Sequence, residues 1–195
     1  VSDILESTPA ELTSLPLVYR GKVRDVYGID GKNMWAVGAG GDISRWNGSS
    51  WTKVASGMTG DLRGIFGTGD KNIWAVGEDG VILLYNGTAW SSVASPTWAE
   101  LFGIWCHSAT NVWAVGEDGA IVHWDGTSWQ AVPSGTPERL LAIYGLNSTD
   151  IWVAGGLGLL AAGGQGEHRR EGDAEEDRTG GPGAHGGTPG MATGT

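Results

Sequence analysis

The chain has 195 residues, with 11 Trp, 35 Gly, one Cys and a formal net charge of −10. That charge balance argues against nucleic acid and anionic membrane surfaces as partners, because both need a basic face. A single cysteine excludes an intrachain disulfide, and no run approaches the ~18 apolar residues of a membrane span.

Residues 1–22 read as an N-terminal extension or a strand of a preceding unit. The opening "VSDILESTPAEL" has neither the basic start nor the apolar core of a signal peptide. From residue 23 the sequence repeats itself every 39 positions. Trp35, Trp74, Trp113 and Trp152 share one slot, Trp51, Trp90 and Trp129 another, and Trp46, Tyr85 and Trp124 a third. Gly38, Gly77, Gly116 and Gly155 keep the same step without insertion or deletion. A period in this range marks a stacked array of one supersecondary unit.

The second unit shows what that unit is. "LRGIFG", "NIWAVG", "VILLY" and "WSSV" are short runs rich in β-branched and aromatic residues, which predicts four strands. Asp79-Gly80 and Asn86-Gly87 read as two-residue hairpin turns, since Gly, Asn and Asp tolerate positive φ. Four strands in about 40 residues make one blade of a β-propeller. A helical alternative fails, because a Gly or Asn every few residues costs close to 1 kcal/mol each in a helix interior.

The expected architecture is therefore all-β: a partial β-propeller of about three four-stranded blades plus a truncated fourth. The propeller spans 23–157, as units 23–61, 62–100, 101–139 and a partial 140–157. In the last unit Ile143, Tyr144, Gly145 and Trp152 fall on their slots, but positions 163 and 168 carry neither Trp nor Tyr. Residues 158–195 read as a low-complexity tail. From Gly163 to Thr195 there is no Val, Ile, Leu, Phe, Tyr or Trp. Such a segment cannot offset its ordering entropy, so disorder is expected, from a frameshifted or artificial tail or from a natural linker.

The repeated residues set the functional candidates. Trp35, Trp74, Trp113 and Trp152 read as packing between blades. Trp51, Trp90 and Trp129 open the outermost strands; packing is one reading and stacking on a sugar is the other. Glu78, Asp79, Glu117 and Asp118 sit on equivalent loops of one rim, where acidic pairs suit exposed hairpins or a cation or basic partner. The first unit has Ala39-Gly40 there, which interrupts a ring of carboxylates. Cys106-His107 replaces a Gly slot and has no companions for a zinc set. No catalytic residue, metal site or cofactor is expected, and no P-loop or other signature loop is present.

The unit L-x-x-I-[FW]-G…[ND]-[IV]-W-A-V-G-E-D-G-x-I-x-x-[WY]-[ND]-G-x-x-W resembles bacterial secreted β-propeller repeats of the photosystem assembly-factor-like and BNR kinds. It also looks like the tectonin lectin repeat, a likeness that implies glycan binding at Trp51, Trp90 and Trp129. The sialidase-type S-x-D-x-G-x-T-W box and an Arg triad are missing, so sialidase activity is not implied. "LPLVYRGKVRDVYGIDG" (15–31) is similar to the opening hairpin of SAICAR synthetase, which implies an ATP-phosphate contact at Lys22 in a purine-pathway ligase. The later motifs of that family are absent. The expectation is a non-catalytic binding scaffold with a protein or glycan ligand, belonging to a secreted or cell-surface protein. A tectonin-type lectin and a ligase remnant are the alternatives. Unclosed blades are expected to self-associate through their apolar faces.

Overall fold

The computed structural model describes residues 23–29 and 33–156 and the strand 158–162. The fifteen strands among them form four antiparallel sheets. Blade 1 contains β1 (Val23–Gly28), β2 (Met34–Gly38), β3 (Ile43–Trp46) and β4 (Trp51–Val54). Blade 2 contains β5 (Leu62–Gly67), β6 (Ile73–Gly77), β7 (Ile82–Tyr85) and β8 (Trp90–Val93). Blade 3 contains β9 (Leu101–Ser108), β10 (Asn111–Gly116), β11 (Ile121–Trp124) and β12 (Trp129–Val132). Blade 4 contains β13 (Leu140–Asn147), β14 (Asp150–Gly155) and β15 (Gly158–Ala162). Each sheet is a simple meander in chain order.

The 39-residue period is preserved in the strand register. Tyr27 lies opposite Trp35, Phe66 opposite Trp74, Trp105 opposite Trp113 and Tyr144 opposite Trp152. The inner strands stand side by side, β1 against β5, β5 against β9 and β9 against β13. The blades do not close on themselves, so the fold is a partial propeller.

The core lies between blades rather than within them. Trp35, Val37 and Ile43 of blade 1 pack with Ile65, Tyr85 and Trp90 of blade 2. Trp74 and Val76 of blade 2 pack with Ile104, Val112 and Trp129 of blade 3. Trp113, Val115 and Ile121 of blade 3 pack with Leu140, Ile151 and Val153 of blade 4. A two-faced sheet in a stack has no solvent side, which is why the middle strands read as continuous apolar runs. Trp74 and Trp113 also donate their indole N–H to Asn72 and Asn111 two residues earlier, at 3.0 and 2.7 Å.

The turns follow two chemistries. Between β6 and β7, Asp79 has φ 54° and Gly80 φ 67°, and Val81 N donates to Glu78 O at 3.0 Å. Two successive positive-φ residues make the primed hairpin turn that Asp-Gly predicts. Gly77 is required just before it, because a Cβ there would lie 2.1 Å from Asp61 O of the incoming connector. The Asn86-Gly87 expectation needs correction. Tyr85 pairs directly with Trp90, so the loop holds four residues, and only Gly87 takes positive φ. Asn86 instead uses its side chain: Oδ1 accepts from Thr88 N, Thr88 Oγ1 and Ala89 N at 2.7–3.1 Å. Asn47 and Asp125 repeat that arrangement.

The fourth sheet also runs further than the sequence pattern indicates. Gly158–Ala162 pairs antiparallel with β14, from Gly155 opposite Gly158 to Ile151 opposite Ala162. Residue 158 was expected to begin the tail. Backbone hydrogen bonding to an open strand edge needs no aromatic slot, so the missing pattern did not prevent pairing. The 1–22 extension and the 163–195 tail lie outside the described residues.

Candidate functional site

The rim that carries the β2–β3, β6–β7 and β10–β11 turns also carries the connectors between blades. The connectors reach it through a repeated backbone bond: Glu78 N donates to Asp61 O at 3.0 Å, Glu117 N to Glu100 O at 2.9 Å and Gly156 N to Arg139 O at 3.0 Å. These bonds gather the second residue of each inner strand and the acid or base of the next connector around one edge of the stack.

A chain of ion pairs follows. Arg24 pairs with Asp61 at 2.5 Å, and Arg63 reaches Asp61, Glu78 and Glu100 at 3.4, 3.3 and 2.5 Å. Asp61 also accepts from Gly40 N at 2.9 Å, and that bond, followed by Arg24 and Arg63, holds its carboxyl below the usual range. Arg139 pairs with Glu117 and lies over the Phe102 ring, 5.4 Å from its centroid. Glu78 also accepts from Asp61 N at 2.9 Å.

The four acidic candidates therefore divide. Glu78 and Glu117 are turned into the blade junctions, each against an arginine. Asp79 and Asp118 stand exposed at the turn tips, φ 54° and 52°, with no side-chain partner among the described residues. The structure does not bring the two turn-tip carboxylates together with any other titratable cluster, and among the described residues no three His, Cys, Asp or Glu are placed to hold a metal.

The aromatic candidates divide as well. Trp90 and Trp129 are buried, with 9% and 5% of their surface exposed. Trp90 meets Trp35 edge-on at 5.5 Å, and Trp129 meets Trp74 edge-on at 5.3 Å. Their ring surface is occupied by packing. Trp51 is half-buried, and the one aromatic ring it meets among the described residues is Trp46, at 5.7 Å. A shallow groove of about 220 Å³ opens beside Trp129, between Trp124 and the segment Val93–Pro96. The Nε1 atoms of Trp90 and Trp129 are buried without an acceptor.

Cys106 is buried in the junction of blades 2 and 3, and that burial pushes its thiol far above its ordinary range. A thiol held protonated is a poor nucleophile and a poor metal ligand. His123 stacks on Trp113 at 4.1 Å and bonds Asn111 Oδ1 at 3.0 Å. Burial lowers its pKa, against a smaller opposing pull from Asp125. Residues 15–31, which carry the resemblance to SAICAR synthetase, contribute Val23–Gly28 as the inner strand of blade 1, and Lys22 lies outside the described residues.

The residue that periodicity passes over is Trp98. It sits on the connector from β8 to β9 and is 88% exposed. A Cβ on Gly80 would lie 2.1 Å from Thr97 O and 3.2 Å from Trp98 Cα, so its backbone rests directly on the Glu78–Gly80 turn. Ser95 Oγ donates to Thr97 O at 3.0 Å, and Ala99 N donates to Thr97 Oγ1 at 3.0 Å, which fixes the connector around it. Its repeat equivalents are Thr59 and Pro137. The available signal was that Trp98 stands off every repeated Trp slot.

No protein-family model and no curated protein matches this sequence. Solved structures do match. YCF48 from Cyanidioschyzon merolae superposes with a TM-score of 0.63 at 21% identity, over 75% of this chain and 52% of its own. The fold is a β-propeller, present here in part. The WD40 β-propeller domain of Doa1 superposes with a TM-score of 0.60 at 15% identity, over 71% of this chain and 49% of its own. A structure of YCF48 bound to D1 peptide gives 0.50 at 16% identity, over 74% and 79%. The chain thus spans about half the length of the first two propellers. At these identities the likeness shows the fold alone.

Proposed function

We propose that the chain is a non-catalytic β-propeller scaffold that binds an extended segment of a protein partner on the rim around Trp98. The observation that carries this reading is an 88% exposed Trp anchored by its backbone to a rigid turn. Large exposed aromatics on a fixed surface are the residues that dominate protein interfaces when they become covered. The surrounding charge gives the partner its chemistry. Asp79, Asp118 and Glu138 carry no ion pair among the described residues of this rim, while its arginines are matched to acids, so a basic segment with an apolar side chain for Trp98 fits best. A propeller of this shape is known bound to a peptide, the D1 peptide on YCF48, which supports the class of ligand and not its identity. As part of the same proposal, the parent protein works outside the cell or on its surface, on the strength of the repeat's resemblance to secreted propellers.

A glycan lectin would keep only Trp51 as a half-exposed platform, and the ligase alternative would rest on Lys22. No observation favours either. The test is a peptide array of short extended sequences, basic, neutral and acidic, probed with the chain and with Trp98→Ala. Basic peptides should bind, more weakly at high salt, and Trp98→Ala should lose at least tenfold in affinity with an unchanged melting temperature. Equal binding by the variant, or no preference for basic peptides, would refute the assignment.

A further inference from the structure

The three interior blade junctions show what each blade face requires from its neighbour. Among the described residues two faces lack it, and the two are complementary. At the inner strands, Tyr27 closes on Gly67 of the next blade and Trp105 closes on Gly145: a Cβ at those glycines would lie 3.0 and 2.5 Å from the rings. Tyr144 occupies the same slot in blade 4 and is 61% exposed. Gly28 occupies the glycine slot in blade 1, and among the described residues the nearest atom to a Cβ there is Met34 Cγ of its own blade, at 3.7 Å.

The middle strands repeat the mismatch. Trp35 sits between Tyr85 and Trp90 of the next blade, at 4.6 and 5.5 Å, and is 1% exposed. Trp74 sits between Trp124 and Trp129, at 5.2 and 5.3 Å, and is also 1% exposed. Trp152 has no such pair among the described residues and is 39% exposed. Blade 1 carries an aromatic pair that holds no third ring among the described residues. Trp46 and Trp51 lie 5.7 Å apart at 48°, close to the 5.5 Å, 43° of Tyr85–Trp90 and the 6.0 Å, 46° of Trp124–Trp129. Val26 of the same face is 49% exposed, where its repeat equivalents Ile65 and Ile104 are 2% and 6% exposed.

We propose that a second copy of this chain docks head to tail, with its blade 1 against blade 4, so that two copies close one ring. Tyr144 would then meet Gly28 of the second copy, and Trp152 would enter the Trp46–Trp51 pair, repeating the interior junctions. A heterologous contact of this kind closes when its rotation fits the ring, and the eight sheets of two copies fall within the range of propellers. This face is separate from the Trp98 rim, so each proposal can fail without the other.

The experiment is the solution mass by light scattering at micromolar concentration. The chain should run at twice its 20.3 kDa. Tyr144→Arg blocks the blade 4 face and Val26→Arg blocks the blade 1 face; each alone should halve the mass, with the far-UV circular dichroism of the parent. Mixed in equal amounts, the two variants retain one intact junction and should recover a dimer, more weakly. That recovery requires both variants to be folded, so it holds the proposal to account even if one is destabilised. A monomeric parent, whose faces are covered by its own residues or by nothing, overturns the proposal. So does an open polymer, a dimer that survives either substitution, or a mixture that stays monomeric.

Discussion

The four Trp on one repeat slot provide a graded test of the inter-blade core, because identical residues sit in unequal surroundings. Trp74 is 1% exposed and touches both Trp124 and Trp129. Burying up to ~250 Å² at ~25 cal/mol/Å² gives about 6 kcal/mol of gross transfer energy. Core Trp→Ala changes cost about 3–5 kcal/mol, so Trp74→Ala, which also strands the Asn72 acceptor, should fall near the top, about 5 kcal/mol. Trp35→Ala should match it. Trp113 is 9% exposed and stacks on one His123 ring, and its loss should cost about 4 kcal/mol. Trp152 is 39% exposed and touches no aromatic pair, so Trp152→Ala should cost about 2 kcal/mol. The assay is urea denaturation in a Val26→Arg background, which keeps the blade 4 face uncovered. A Trp74–Trp129 double-mutant cycle should show coupling of about 0.5–1.5 kcal/mol. Equal costs for Trp74→Ala and Trp152→Ala would refute the view that each Trp is stabilised by the following blade.

Two further outcomes follow from the turns. Asp125 is held down to about 2 from an ordinary 3.8, first by the Thr127 hydroxyl and then by backbone N–H groups of Ser128 and Thr127. A depressed folded pKa contributes stability that is present above the unfolded value and lost as pH falls toward the folded one. Asp125→Asn should therefore leave neutral stability nearly unchanged, as Asn47 and Asn86 make the same bonds, and should lose less stability than the parent between pH 4 and 2 in acid titrations followed by fluorescence; an identical acid profile would count against the assignment. Asp79→Gly, which copies Gly40 of blade 1, should raise the unfolding free energy measured in urea slightly, by between zero and about 1 kcal/mol, while Asp79→Val should cost about 1–2 kcal/mol. A substantial loss on Asp79→Gly would mean that its carboxylate has a structural contact.

The fold was legible because one interface is used repeatedly. Trp35, Trp74 and Trp113 fall on one slot since each must meet the same surface of the next blade, and the strand register carries that spacing directly into space. The Asp79-Gly80 turn was legible for a local reason, two residues that accept positive φ in succession. Asn86-Gly87 misled because the same letters serve a longer loop, in which the amide side chain, not backbone φ at Asn, satisfies the turn. β15 was missed since its pairing is a backbone property of the β14 edge.

The candidate site was less legible, and the reason lies in what repetition selects. A residue repeated at every blade serves what every blade needs, which is its junction with the next. Trp90 and Trp129 are spent on that junction, as are Glu78 and Glu117 through Arg63 and Arg139. Positions that differ between blades are not held to one chemistry by that duty. The second residue of the inner strands changes from Arg24 and Arg63 to Phe102 and Leu141, and the rim partner changes with it, from a carboxylate at Asp61 and Glu100 to the guanidinium of Arg139 over Phe102. One connector carries Trp98 where the others carry Thr59 and Pro137. On the proposed reading, specificity is therefore written off the period, on a rim whose positions the repeat fixes but whose side chains it leaves open.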